Sequence, residues 1–152
     1  MLADFWQAFC DANGVFGPIP ETTVFGDSPH MQSELCELVL RGLKRATCSL
    51  AMWYGQQGDP LPKPGDLTIM LDGAGAPRGV LETVEVFERP FRDADGQFAA
   101  DEGEGDGSLA YWTAEHRRYF TQELAKERLQ FSDDMMVVFE RFRLFWPGQA
   151  RP

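Results

Sequence analysis

Apolar residues fall on one stripe at the start of the chain: Leu2, Phe5, Trp6, Phe9 and Cys10 recur at the spacing of a helix. Asn13-Gly14 then supplies residues that tolerate a left-handed cap. Val15 to Asp27, rich in Gly and Pro, reads as a wandering loop. Ser28-Pro29 has the form of an N-cap followed by proline in the first helical position. Met31, Leu35, Leu38 and Val39 give the second helix its buried face, and Gly42 ends it. Beyond Leu43 a short apolar piece runs from Cys48 to Tyr54, with Thr47 placed to cap a helical turn and Lys44 in the loop before it. Gln56 to Gly65 is a Pro/Gly connector. Asp66 to Asp72 alternates with period two, Gly73 to Pro77 is a turn, and Arg78 to Glu88 is a second strand, so an antiparallel hairpin is expected. Arg89 to Gly107 is acidic and glycine-bearing and reads as a loop. Ser108 opens a helix to about Leu129, carrying Leu109, Trp112, His116, Tyr119 and Phe120 at helical spacing. Met135 to Phe145 is a last strand, and Trp146 to Pro152 a loose tail. Helices, two strands, a helix and a strand in that order predict an α+β fold with a mostly antiparallel sheet.

Length and composition narrow the class. The 152 residues, 43% of them hydrophobic, suit one compact domain with a real core. No stretch has the roughly 18 to 20 apolar residues that span a bilayer. The first helix carries Asp4 and Asp11 and no basic segment, which is not the pattern of a signal peptide. Three cysteines, Cys10, Cys36 and Cys48, with no CxxC spacing, predict reduced thiols and a cytoplasmic protein. A net charge of −10 disfavours a binder of duplex DNA, which needs a strong positive field. Local basic groups remain at Arg41, Lys44 and Arg45 and at Arg141 and Arg143, so a basic cleft on an acidic body stays open.

Several standard sites are absent from the sequence: GxGxxG, the Walker A loop, HExxH and the GxSxG elbow. The only histidines are His30 and His116 and the cysteines are dispersed, so no tight zinc site is expected. Lys44 and Thr47 admit two readings. A partly desolvated lysine whose pKa falls serves as base or anion clamp, and a threonine hydroxyl as nucleophile or donor. Alternatively they are a surface lysine and an N-cap. The run Asp101-Glu102-Gly103-Glu104-Gly105-Asp106-Gly107 can gather a hard cation such as magnesium, provide a general base, or form a solvated turn that favours the following helix dipole. Trp53, Tyr54, Trp112, Tyr119 and Trp146 stack on unpaired bases or fill the core. Arg117-Arg118 beside His116 contacts phosphates or forms an exposed face.

Gly42-Leu43-Lys44-Arg45-Ala46-Thr47, followed by Ser49-Leu50 and Trp53-Tyr54, resembles the G-x-K-x-x-T signature of ASCH domains. Leu61-Pro62 to Gly65-Asp66, Gly75-Ala76-Pro77 with Leu81 to Val86, Glu102 to Leu109 with Trp112, and Phe139-Glu140-Arg141-Phe142 extend the match over nearly the whole chain. The resemblance implies a PUA-like, mostly antiparallel β-barrel flanked by helices, with a cleft beside the barrel. One domain would cover 1–152, with a helical part at 1–43, a barrel core at 44–146 and an inserted helix at 108–129. The function implied is action on RNA or its nucleosides, as a hydrolase cleaving single-stranded RNA or, alternatively, an N4-acetylcytidine amidohydrolase or a non-catalytic RNA-binding module. Carried over by motif, the catalytic lysine falls on Lys44, the threonine on Thr47 and the glutamate on Glu102 or Glu104, with Glu82 in reserve. In amide hydrolysis Thr47 would attack the acyl carbonyl, Lys44 would take its proton and the glutamate would orient the lysine or the leaving amine. Arg45, Trp53, Tyr54, Ser108, Trp112, His116 and Arg117 are the expected substrate contacts. Amide hydrolysis requires no cofactor, whereas RNA cleavage admits a divalent metal, Mg or Mn. The expected partner is single-stranded RNA or a modified nucleoside, with no membrane and no duplex DNA; the oligomeric state stays open.

Overall fold

The structure, a computed structural model, describes residues 1–55 and 58–148. Among these residues, four α-helices surround a five-stranded sheet of order β1-β3-β4-β5-β2. The helices are α1 (Leu2–Asn13), α2 (Pro29–Leu40), α3 (Gly96–Glu102) and α4 (Leu109–Lys126). The strands are β1 (Thr22–Thr23), β2 (Ala46–Leu50), β3 (Leu67–Leu71), β4 (Pro77–Pro90) and β5 (Met136–Trp146). All ladders are antiparallel except the short β1·β3 pair.

The expected hairpin is β3–β4, and its turn is held by Asp72, whose carboxylate accepts the Ala74 and Ala76 N–H groups. Ser28 caps α2 by accepting from the Met31 N–H, with proline opening the helix as the spacing predicts. On β5, Val137 and Phe139 point to the opposite sheet face from Phe142 and Leu144, because side chains alternate along a strand. Val137 and Phe139 pack under α3 and α4 with Phe98, Trp112, Phe120 and Leu124. Phe142 and Leu144 pack with Leu35, Cys36 and Val39 of α2. α1 lays Trp6, Phe9 and Cys10 on Ile69 and Val80. No helix among the described residues is long and apolar enough to cross a membrane.

Three local readings change. Thr47 does not cap a helical turn: it lies within β2, paired with β5, and only the short 3-10 turn Ala51–Trp53 follows. Burial of Ala46 and Leu50 at the two ends of that strand outweighs the local turn signal. The acidic segment is not one loop, since β4 runs on to Pro90 and Asp95 caps α3 by accepting from the Phe98 N–H. The Gly/Pro-rich stretch before α2 contributes the edge strand β1. The expected barrel is an open sheet, for among the described residues no ladder joins the edge strands β1 and β2. Of the connector at 56–65, Gln56 and Gln57 lie outside the described residues, as does 149–152 of the expected tail.

Candidate functional site

Lys44 reaches its position because α2 ends sharply. Gly42 has φ +76°, and the N–H groups of Leu43 and Lys44 both donate to the Leu38 carbonyl, which turns the chain straight into β2. The C-terminal end of α3 docks on this turn. The Arg45 N–H donates to the Asp101 carbonyl at 2.7 Å, and Gly103 caps α3 in the left-handed region at φ +67°. A Cβ on Gly103 would stand 2.0 Å from the Leu43 carbonyl oxygen, so only glycine allows this approach. Glu102 and Glu104, on either side of that glycine, are thereby brought to Lys44.

The Lys44 side chain is 1% exposed. Its ammonium donates to the Ala46 carbonyl at 2.8 Å, to Glu104 Oε2 at 2.9 Å and to Glu102 Oε1 at 3.4 Å, and it sits over the Phe25 ring. Three donors meet three acceptors. Glu102 Oε2 accepts from the Trp112 indole N–H and faces His116 Nε2 at 3.3 Å. The other imidazole nitrogen, Nδ1, lies 2.9 Å from the Trp112 carbonyl oxygen, a partner that only accepts, so Nδ1 carries a hydrogen. The His116 ring stacks on the Trp112 ring at 4.3 Å.

Burial and charge pull these groups apart. Burial alone would lower the Lys44 pKa, but the carboxylates of Glu102 and Glu104 outweigh it and hold the ammonium above its ordinary value. Neither sequence reading of Lys44 holds, since it is not a surface lysine and its pKa does not fall. Burial likewise opposes ionisation of Glu102, yet Lys44 and His116 overcome it and keep that carboxyl well below the usual range. Glu104 moves the other way, because burial and the neighbouring charge of Glu102 exceed the pull of Lys44. Burial pushes the Cys48 thiol far up, with the charge of Glu102 adding to it. His116 is raised, since Glu102 more than offsets the cost of burial.

A cavity of about 310 Å³ opens beside this cluster, between the edge strands, with Thr23 to Asp27 on one side and Thr47 to Ser49 on the other. Lys44, Thr47, Glu102, Glu104, Tyr54 and His116 line it. The other expected contacts lie elsewhere. Arg45 is turned outward and bonded to Asp101 at 3.0 Å, and Trp53 packs edge-on against Phe120. Ser108 is the N-cap of α4, accepting from the Tyr111 N–H. Trp112 is a core residue stacked on Phe91, and Arg117 pairs with Asp133 at 3.0 Å. The reserve residue Glu82 accepts from Arg143 outside the cavity.

Two further lining residues bear on the chemistry and were not among the expected site residues. Glu140 stands directly opposite Thr47 in the β2·β5 ladder, so both project to the cavity side, and its carboxylate accepts from the Thr83 hydroxyl at 2.9 Å. Burial raises its pKa. The signal available was a lone acid in this strand, on the same side as the apolar Val138 and Phe142. Cys48 is the other. Its sulfur, one Glu102 oxygen and one His116 nitrogen all lie within 4.8 Å of one another, a donor set that could hold a metal ion. The carboxylates of the acidic run do not converge in this way. Asp101 is taken by Arg45 and Arg141, Glu104 by Lys44, and Asp106 accepts from the Ser108 N–H.

Residues 21–145 match the ASCH domain family model, and the chain belongs to the ASCH family, which is associated with RNA binding. It is similar to protein EF3133 from Enterococcus faecalis, whose crystal structure superposes with a TM-score of 0.86 at 38% identity, covering 94% of this chain and 86% of that one. It is also similar to the crystal structure of an ASCH domain from Lactobacillus crispatus, with a TM-score of 0.82 at 32% identity, covering 91% and 92%. No curated protein matches the chain.

Proposed function

We propose that this ASCH domain is a hydrolase that removes the acyl group from an acylated amino group on a single nucleoside, with N4-acetylcytidine as the test substrate. The observation that carries the reading is the state of the cations lining the cavity. Lys44 is held by Glu104 and Glu102, His116 faces Glu102, and Arg118 is held by Glu115 and by Asp27 at 3.6 Å. Each is matched to a carboxylate, and Glu140 adds a further acid to the lining. A phosphodiester needs cationic donors free to meet it. A neutral base with a neutral amide does not, and about 310 Å³ suits one nucleoside better than a length of chain. These points favour amide hydrolysis over the cleavage of single-stranded RNA.

In this reading Thr47 Oγ bonds to the acyl carbon and passes its proton to the Glu104 carboxylate, which returns it to the nitrogen as the C–N bond breaks. Water then releases the acyl group from Thr47 by the same proton path. Lys44 remains an ammonium and holds Glu104 in place. Its 3.4 Å contact with Glu102 is the longest of the three, and that donor is the one to turn toward the carbonyl oxygen as negative charge develops.

The test incubates purified protein with N4-acetylcytidine and, separately, with a labelled single-stranded RNA, beside the variants Thr47→Ala, Glu104→Gln and Lys44→Ala. Release of acetate and cytidine, reduced at least about 100-fold in Glu104→Gln, is the expected result. Cutting of the RNA with no deacetylation would replace this reading with a ribonuclease. Silence on both, with RNA retained in a binding assay, would leave a binding module.

A further inference from the structure

We infer that Cys48, Glu102 and His116 form a binding site for a borderline-soft divalent transition metal such as zinc, open toward the cavity. The inference uses the same cavity as the proposed reaction but does not depend on it.

Three features of the geometry point to the site. The first is convergence. The three donor atoms lie within 4.8 Å of one another, and His116 Nε2 and Glu102 Oε2 are already 3.3 Å apart. Neighbouring ligands of a tetrahedral zinc with bonds of about 2.0–2.3 Å are about 3.5 Å apart, so modest side-chain adjustment completes the contact.

The second is orientation. His116 gives its Nδ1 hydrogen to the Trp112 carbonyl, which fixes the tautomer whose Nε2 lone pair faces the other donors once the ring is neutral. The Trp112 indole N–H is bonded to Glu102 Oε2, and Lys44 holds the other oxygen, Oε1. One tryptophan thus aims two ligands, through its backbone carbonyl and its ring, in the manner of the outer partners of metal-bound histidine and carboxylate. Oε2 keeps a second lone pair for the ion, and Lys44 keeps its contact with Oε1.

The third is chemistry. A thiolate, a carboxylate and an imidazole carry two negative charges, which offset a divalent cation. Sulfur and nitrogen donors select zinc, cobalt or nickel over magnesium, which prefers oxygen. Three protein ligands leave a fourth position for water or a ligand from the cavity. Binding would displace the thiol proton of Cys48 and the Nε2 proton of His116 to the buffer. The expectation of no zinc site rested on dispersed cysteines and only two histidines. Folding brings a strand, α3 and α4 together at this point.

The experiment strips the full chain with a chelator and titrates it with Co²⁺, following the visible ligand-field bands and the thiolate-to-cobalt charge-transfer band, then displaces cobalt with Zn²⁺. The expected result is one cobalt per chain with a charge-transfer band that zinc abolishes. Cys48→Ser should remove that band, while Cys10→Ser and Cys36→Ser keep it. His116→Gln should weaken binding by more than about tenfold, and Trp112→Phe by about tenfold through orientation alone. Wild-type protein that binds no cobalt, or a band that survives in Cys48→Ser, overturns the inference. Neither result depends on turnover of any substrate, so it stands or falls separately from the hydrolase reading.

Discussion

Replacing Gly103 with alanine tests how the site is assembled, because two effects of the change can be separated. Gly103 and Gly14 are both left-handed caps, at φ +67° and φ +64°. Alanine in that region costs about 1–2 kcal/mol. A Cβ on Gly14 would meet nothing within 4 Å, so Gly14→Ala carries that backbone cost alone. On Gly103 it would be 2.0 Å from the Leu43 oxygen and 2.7 Å from the carbonyl carbon, both backbone atoms. Ordinary contact is regained only if the end of α3 moves more than an ångström from Leu43. That movement breaks the 2.7 Å bond from the Arg45 N–H to Asp101, worth about 1 kcal/mol, and loosens the Lys44 contacts to Glu102 and Glu104. Gly103→Ala should therefore lose about 3–5 kcal/mol against about 1–2 for Gly14→Ala, the surplus being the lost bond and a weakened buried ion pair. At this chain length each kcal/mol lowers Tm by about 2–4 °C. Urea unfolding monitored by tryptophan fluorescence gives both values. Equal losses in the two variants would refute the claim that close approach at Gly103 assembles the site.

Further outcomes follow from the buried charges. Lys44→Met removes the cation from two carboxylates and should cost about 3–5 kcal/mol in denaturant unfolding, with Lys44→Met/Glu104→Gln recovering part of it; no recovery would mean the lysine acts by packing. Trp112→Phe keeps most of the core volume but takes the indole donor from Glu102, a loss of about 1.5–3 kcal/mol typical of a bond to a charged group; a change of under half a kcal/mol would show that the bond is not formed. Glu140 has a raised pKa in the fold, so the folded state holds its proton more tightly than the unfolded chain. Its contribution is intact below the unfolded value of about 4.3 and is lost as pH rises through the folded one. Glu140→Gln should thus be more stable than the wild type at pH 7, with the gap closing below about pH 4; a gap independent of pH would contradict the sign.

The hydrophobic pattern carried most of the architecture. The stripe Phe5-Trp6-Phe9-Cys10 marks a face that is buried in the fold, whereas β3 is buried on both sides, Ile69 against α1 and Met70 against α2, so its period-two reading located the strand but not a single buried face. What escaped was decided by partners distant in sequence. Nothing near Thr47 reveals that β5 will pair with it, 93 positions on at Glu140. The acidic run is the clearest case. Local composition assigns Asp101 and Glu102 to solvent, yet both are buried, Asp101 beneath Arg45 and Arg141, Glu102 beside Lys44, Trp112 and His116. A carboxylate's place inside or outside depends on whether a cation is waiting.

The open sheet and the cavity have a common origin. A closed barrel would join β1 to β2, but β1 is two residues long, and the chain leaves it through Val24 and Phe25 toward α2. The space left between the edges is bordered by Thr23 on one side and Thr47 on the other, and Lys44 with its carboxylates stands beside it. Extending β1 to pair with β2 would add main-chain hydrogen bonds and fill the cavity. The chain does not continue that way: Phe25 covers the Lys44 ammonium instead, and Gly26, at φ +103° and tight against Met31, bends the chain away. The motif Gly42 to Thr47 therefore encodes two things at once. It ends α2 and begins an edge strand, and it delivers to the unsealed side of the sheet the one lysine that Glu102 at the end of α3 and Glu104 just beyond it turn inward to meet.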